Sequence, residues 1–240
     1  CQFDSMKSLN VIVRPFAEKD RAAIREICKR TGQKGHPARL FFEDEEIVPM
    51  LFADYYMDYE PKSCFVAEVD GRVVGYLVGC LDTRRKLKVL RTRIYPRLCL
   101  RMLWKLLTLQ YRRKQTYQTL WWMISRSWRE SLRLPLDEYP GHAHFNVEAA
   151  YRSEGLGGRL SYAFLQHRLR RGVWGMHVIV REEAGDDKLS AFLCRERGYK
   201  IVSVKRNTVW EKVTGKKWYA KLLVSDARQF SQGDPHATVE

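Results

Sequence analysis

The stretch His142–Ala163, HAHFNVEAAYRSEGLGGRLSYA, decides the reading of this 240-residue chain. It predicts a buried strand at His144–Val147, a short loop, and a helix opening at Gly155-Leu156-Gly157-Gly158. The loop contains Arg152-Ser153-Glu154-Gly155-Leu156-Gly157, an R-x-x-G-x-G pattern. Glycines let a backbone approach a ligand closely and aim N–H groups outward. A helix N-terminus adds unpaired donors and a partial positive charge. Such a turn suits a pyrophosphate.

The spacing excludes two other phosphate loops. A P-loop needs G-x-x-x-x-G-K-[ST], and no Lys-Ser/Thr pair follows. A dinucleotide fingerprint needs G-x-G-x-x-G, and Leu160 stands where the third glycine belongs. Taken bare, R-x-x-G-x-G also fits a tight strand–helix turn with no ligand.

Val147-x-Ala149-x-Tyr151-Arg152-x-x-Gly155-x-Gly157, followed by Arg159-Leu160, resembles motif A of the GNAT superfamily of acyl-CoA-dependent N-acyltransferases. The resemblance implies an α/β fold: a mixed, twisted sheet with helices on both faces. It implies that a bulge near Val147 splays two strands and that the backbone of Phe145, Asn146 and Val147 meets pantetheine. It places the coenzyme A pyrophosphate at Arg152, Ser153, Glu154, Gly155, Leu156, Gly157, Gly158 and Arg159. The rest of the chain is similar too. Asn10–Phe16 resembles the first strand of the family, and Cys64–Asp82, turning at Asp70-Gly71, the second and third. Met176–Arg181, Lys188–Gly198 and Tyr199–Trp210 resemble its fifth strand, fourth helix and sixth strand. The implied activity is transfer of an acetyl group from acetyl-CoA to a primary amine, without a metal.

Composition agrees with one domain over 1–240 carrying one large insertion. Hydrophobic residues make up 45% of the chain, enough for a folded core. No Pro/Gly/Ser-rich linker, internal repeat or low-complexity tract divides it. The cysteines show no C-x-x-C pairing, which argues against a disulfide framework or a zinc site and for a reducing compartment. The histidines form no metal pattern. No run of 18 apolar residues predicts a membrane span, and no signal-peptide pattern is present. The initial Cys1 reads as a fragment end, with Met6 as the native start. The expected location is the cytoplasm, where coenzyme A is available.

Elsewhere, Asp20 is predicted to cap a helix carrying Ile24, Ile27, Cys28 and Thr31, stopped at Gly32. A loop with His36-Pro37 follows. Glu45–Tyr56 is predicted as one helix through Ile47, Leu51 and Tyr55.

Arg84–Pro135 departs from the family pattern, between the third and fourth strands. It holds fifteen Lys/Arg against the single acid Glu130, a net +14, while the whole chain carries +15. Trp104, Trp121, Trp122 and Trp128 lie in it. Two basic amphipathic helices are predicted, turning near Arg112-Arg113-Lys114-Gln115. In the first, Arg97, Arg101, Lys105 and Arg112 share a face opposite Leu98, Met102, Leu103 and Leu106. In the second, Arg126, Arg129 and Arg133 oppose Leu120, Ile124 and Trp128. Three readings are open. The segment is a helical hairpin with a solvated charged face, an in-plane anchor on anionic lipid, or a clamp for a soluble anion. No recognised motif supports nucleic acid. The sequence carries no signal for oligomeric state.

For catalysis, His142 and His144 project to one side of the strand and are candidate bases. An unperturbed imidazole would put an acidic limb in the rate at about pH 6–7. Glu138, at the strand entrance, could hold a water; Asp137 and Glu148 are further carboxylates. The family pattern N-x-x-A-x-x-L-Y-x-x-x-G-F aligns on Gly198-Tyr199. Here it reads Asp187-x-x-Ser190-x-x-Leu193-Cys194-x-x-x-Gly198-Tyr199. Cys194 therefore replaces the usual acid, as a thiol donor or as a small core residue; Tyr199 and Tyr151 are substitutes. The altered pattern also fits a rival function, a non-catalytic acyl-CoA-binding module docked on a membrane or nucleic acid. The basic insertion favours anionic acceptors over Lys-rich tails.

Overall fold

The computed structural model describes residues 10–31, 38–40, 42–209 and 211–229. The expectations for Cys1, Met6, Gly32, His36-Pro37 and Trp210 fall outside them. Strand β1 (Val11–Pro15) leads to helix α1 (Arg21–Arg30) and two short helices, α2 (Ile47–Phe52) and α3 (Asp54–Tyr59). The hairpin β2 (Cys64–Val69) and β3 (Arg72–Cys80) follows. The insertion carries α4 (Thr83–Val89), α5 (Tyr95–Leu107), α6 (Lys114–Ser125) and α7 (Ser127–Glu130). Then come β4 (Gly141–Val147), α8 (Leu156–Leu169), β5 (Gly175–Glu183), α9 (Lys188–Arg197), β6 (Lys200–Arg206), α10 (Glu211–Thr214) and β7 (Trp218–Asp226).

The strands form one mixed sheet in the order β1-β2-β3-β4-β5-β7-β6. Among the described residues, only β4 and β5 pair in parallel. The turn at Asp70-Gly71 has φ of 48° and 80°, the two left-handed residues that a tight hairpin requires. β2 and β3 read as nearly continuous apolar runs because both their faces are covered. Cys64, Val66, Tyr76, Val78 and Cys80 face α1 and α3, meeting Ile24, Ile27, Tyr55 and Tyr56. Phe65, Ala67, Val74 and Leu77 face α8, meeting Leu156, Leu160 and Phe164. Gly79 lets Phe164 in; a Cβ there would lie 2.3 Å from the ring.

Three local expectations are corrected. The helix predicted over Glu45–Tyr56 is two helices, broken at the buried Ala53, whose φ is −129°. Asp20 stands before α1 without capping it; its carboxylate takes the Ala17 N–H and both terminal nitrogens of Arg14 instead. β7 was not foreseen, although WYAKLLVSD supplies the strand between β5 and β6.

The insertion starts directly from β3, with the Asp82 carboxylate accepting the Arg84 and Arg85 N–H groups at the start of α4. A π-helical stretch, Leu90–Ile94, joins α4 to α5. The faces of α5 differ from the expectation. Arg101 and Lys105 turn inward to the buried Asp44, at 2.7 and 3.1 Å. Burial pushes the Asp44 carboxyl up, but its bonds to these two cations outweigh that and leave it below the usual range. Leu98 is buried beside them with Phe42, Ile47 and Tyr111, while Leu103 and Leu106 are exposed. At its other end the insertion reaches the β6–β7 connection. Trp122 Nε1 donates to Glu130 and Thr208, and Lys205 Nζ donates to the Ser131 carbonyl. It thus reaches from Asp44 to the β6–β7 connection.

Candidate active site

β4 and β5 are paired only at Gly141–Met176 and His142–His177. Beyond that point β4 stays with β3 through Val147, while β5 continues along β7. The two strands part, and among the described residues no strand pairs with one edge of β4 from Ala143 to Val147. Peptide groups on such an edge need partners from outside the sheet. No register shift interrupts β3–β4, so the expected bulge near Val147 is absent and the parting arises without it. Glycine holds the closed end together. A Cβ on Gly175 would lie 1.8 Å from the Glu138 carbonyl oxygen, and one on Gly141 3.1 Å from the Gly175 carbonyl oxygen.

From the open end of β4 the chain makes a 3-10 turn, Ala149–Glu154, and enters α8 through Gly155, at φ 67°. The left-handed residue reverses the chain at no steric cost. Arg152 Nε donates to the Val147 carbonyl, 3.2 Å, tying the loop to the strand. Leu156, Leu160 and Phe164 anchor α8 beneath the sheet. The Gly155 carbonyl accepts the Gly158 and Arg159 N–H groups. Leu156 and Gly157 supply the first N–H groups of the helix, which have no partner within it. A Cβ on Gly157 would touch only the Phe145 ring, at 3.4 Å. The half-exposed Phe145 therefore sits beside the helix end. Ser153 and the exposed Glu154 lie in the turn. Arg159 points elsewhere, donating to the Val11 carbonyl.

The other face of β4 presents His142, His144 and Asn146. His142 stacks on His177 with centroids 5.0 Å apart. Their Nδ1 atoms face the carbonyls of His177 (3.2 Å) and Tyr139 (2.8 Å), which fixes both protons on Nδ1. His144 lies between Phe52 and Tyr76. Asn146 Nδ2 donates to the Tyr76 hydroxyl at 2.9 Å and to His144 Nε2 at 3.1 Å. His144 therefore carries its proton on Nδ1, and its other nitrogen is occupied.

Burial, then the nearby Lys86 and Arg181, brings His144 down to about 4. Burial, then Lys86 and His177, brings His142 well below its ordinary value. Both imidazoles are neutral at pH 6–7, so the acidic limb expected there is withdrawn. We predict a rate that shows no break between about pH 6 and 7. The check is a pH–rate profile of the protein and of His144→Ala, with equal shapes expected through that window. A break at pH 6–7 that the variant loses would restore His144 as the base.

Arg181 was not singled out by the sequence. It lies on β5 four residues past His177 and thus on the same strand face. Among the described residues, it has no hydrogen-bond or carboxylate partner. It is partly buried, and that burial pulls its guanidinium below the usual value. Lys86 is also near: its ammonium donates to the Tyr56 hydroxyl, and burial lowers its pKa. The signal available in sequence was Arg181 inside an apolar strand, GMHVIVREE, at the phase of His177.

The remaining candidates are dispersed. Glu138 is exposed at the closed end, its carbonyl against Gly175, away from His144. Asp137 pairs with Arg84, and Glu148 with Arg72. Tyr199 donates to Met176 Sδ, and burial pushes it up to about 12; Tyr151 packs in the α8 core. Cys194 shares a face of α9 with Ser190 and Arg197. Ser190 is buried against Glu182, while a Cβ on Gly158 would lie 2.7 Å from Arg197 Nη2. Cys194 thus stands between those contacts, on the α8 side of the cleft. Asp187 pairs with Lys221, which also meets Glu182. Among the described residues, no group of three His, Cys, Asp or Glu could hold a metal ion.

No protein-family model matches the chain. A 72-residue stretch is 33% identical to an uncharacterized N-acetyltransferase of Methanocaldococcus jannaschii, covering 30% of this chain and 38% of that one. The match thus spans well under half of that relative. The crystal structure of SsHAT superposes with a TM-score of 0.62 at 23% identity, covering 90% of this chain and 98% of that one. An N-acetyltransferase from Staphylococcus aureus Mu50 gives a TM-score of 0.53 at 14% identity, covering 91% and 99%. A Salmonella typhimurium structure with its cofactor acetyl-CoA gives a TM-score of 0.51 at 15% identity, covering 96% and 98%. With β4 and β5 parted beside the N-terminus of α8, the chain shares the fold of these solved structures, an N-acetyltransferase and an acetyl-CoA-bound protein among them.

Proposed function

We propose that this chain transfers an acetyl group from acetyl-CoA to the primary amine of an acceptor that also carries an anionic group. The observation that carries the reading is the parting of β4 from β5 beside the unpaired N-terminus of α8. The free edge of β4 matches an amide-bearing arm, and the helix end matches a pyrophosphate. A thioester supplies the activated acetyl group. The N–H groups of Phe145 and Val147, which point away from β3, are the donors available to its carbonyl oxygen as negative charge develops. The amine attacks the carbonyl carbon, the C–S bond breaks, and the proton lost by the amine balances the one gained by the thiolate. With His142 and His144 neutral and His144 Nε2 occupied, that proton leaves through water. The work of the site is positioning. Cys194, on the α8 side, is the nearest counterpart to the family's acid.

The anionic acceptor rests on Arg181. A half-buried guanidinium without a counter-ion offers two parallel N–H donors, and a ligand carboxylate or phosphate would pair with them. Its place on the His144 face puts it on the opposite side of the sheet from the α8 helix end.

Arg181→Gln is expected to raise KM for a carboxylate- or phosphate-bearing amine by about 30-fold, the scale of a lost buried charge contact. Acetyl-CoA affinity should stay unchanged. Equal KM in protein and variant would remove Arg181 from acceptor recognition. The transfer itself is tested by incubating the protein with acetyl-CoA and an amine library and following coenzyme A release. Binding of acetyl-CoA without release for any amine would favour the non-catalytic binding module.

A further inference from the structure

The insertion turns its largest apolar side chains outward. On α5, Leu100, Leu103, Trp104 and Leu107 follow the i, i+3, i+4, i+7 spacing of one helix face, and all are exposed. Leu109 follows, and Trp121, Ile124 and Trp128 are exposed farther on. These eight side chains range from 51% (Leu103) to 76% (Leu109) exposed. Leu98 and Met102 of α5 and Leu120 of α6 pack on Phe42 and Ile47. The α5 face opposite Leu98 and Met102 therefore points away from the body of the protein, and Trp121, Ile124 and Trp128 are exposed in their own right. Scattered exposed apolar residues need no explanation, but a concentration of this size on one segment does.

We propose that this face docks in the plane of an anionic lipid surface. The charge around it selects that occupant. Among the described residues, the guanidinium groups of Arg91, Arg93, Arg97, Arg126 and Arg133 have no carboxylate partner. Arg93 and Arg97 lie one to two turns before the Leu100–Leu107 face. A second copy of this chain would bring a +14 segment against another. A nucleic acid would match the charge but would leave the aliphatic Leu100, Leu103, Leu107 and Ile124 with nothing to stack on. A bilayer interface takes all three features: leucines in the acyl boundary, tryptophans at the headgroups, and arginines against anionic lipid. Among the described residues, no helix is long and apolar enough to cross a membrane, so the contact is peripheral. This inference does not depend on acetyl transfer.

The test is flotation of the full chain with phosphatidylcholine vesicles with and without phosphatidylserine. Binding is expected to the phosphatidylserine vesicles, with a blue shift of Trp fluorescence and release near 1 M salt, where the Debye length is about 3 Å. The variant L103Q/W104Q/L107Q alters only exposed side chains, so its melting temperature should match that of the unsubstituted protein. Its vesicle partitioning should fall at least tenfold on the order expected for lost interfacial apolar area. No flotation of the unsubstituted protein, or equal flotation of the variant, would overturn the proposal. A concentration-dependent dimer in lipid-free sedimentation, abolished by the same variant, would assign the face to self-association instead.

Discussion

Gly157→Trp is expected to weaken acetyl-CoA binding by at least about 100-fold, close to 3 kcal/mol, while the protein stays folded. The two halves of this prediction have separate reasons. Gly157 lies inside α8 rather than in the left-handed region, and a Cβ there would touch only the Phe145 ring. The backbone therefore tolerates a side chain, and helix propensity favours it over glycine. An indole there would fill the space in front of the Leu156 and Gly157 N–H groups, where a pyrophosphate is proposed to sit. Calorimetry and a thermal melt of the same sample read the two halves. Unchanged affinity in a folded variant would remove the coenzyme from this loop.

Gly175→Val is the corresponding change at the closed end, and there the effect falls on stability. Its Cβ would lie 1.8 Å from the Glu138 carbonyl oxygen and 3.1 Å from Tyr139 Cα, both backbone atoms. Moving that segment disturbs the Tyr139 carbonyl, which accepts from His177, and the Pro140 carbonyl, which accepts from Thr83. A loss of about 3 kcal/mol is expected, or roughly 6–12 °C in melting temperature for a chain of this size. A melt within about 2 °C of the unsubstituted protein would show that β4 and β5 can part farther down without cost.

These two glycines mark what the sequence disclosed and what it hid. Gly157 was legible because strand, loop and helix are local patterns with a turn residue at a fixed place. The Asp70-Gly71 hairpin was legible for the same reason. Gly175 was not, since its need for a missing side chain comes from Glu138, which a separate segment brings to it. The insertion shows the same limit in reverse. Periodicity placed Arg101 and Lys105 on one face of a helix, but which face turns inward was decided by Asp44, 57 residues before Arg101. The buried carboxylate drew the cations in and left Leu100, Leu103, Trp104 and Leu107 outside.

The candidate site divides along the same line. The β4 edge and the α8 end come from one continuous stretch, and the sequence named their residues. The proposed acceptor face draws on Lys86, His144 and Arg181, three separate parts of the chain. His142 and His144 could be named, but not their environment. Burial and two neighbouring cations make His144 a neutral ring held by Asn146, where the isolated residue would titrate near neutrality. Glu138 lies exposed at the closed end, the entrance to β4 where the sequence placed it.

Mass analysis of amines incubated with the protein and acetyl-CoA decides whether the chain transfers the acetyl group. A primary amine bearing a carboxylate or phosphate is expected to gain one acetyl group as coenzyme A is released, and Gly157→Trp to abolish the gain. Tight, saturable binding of acetyl-CoA with no acetylated product from any amine would contradict the proposed transfer.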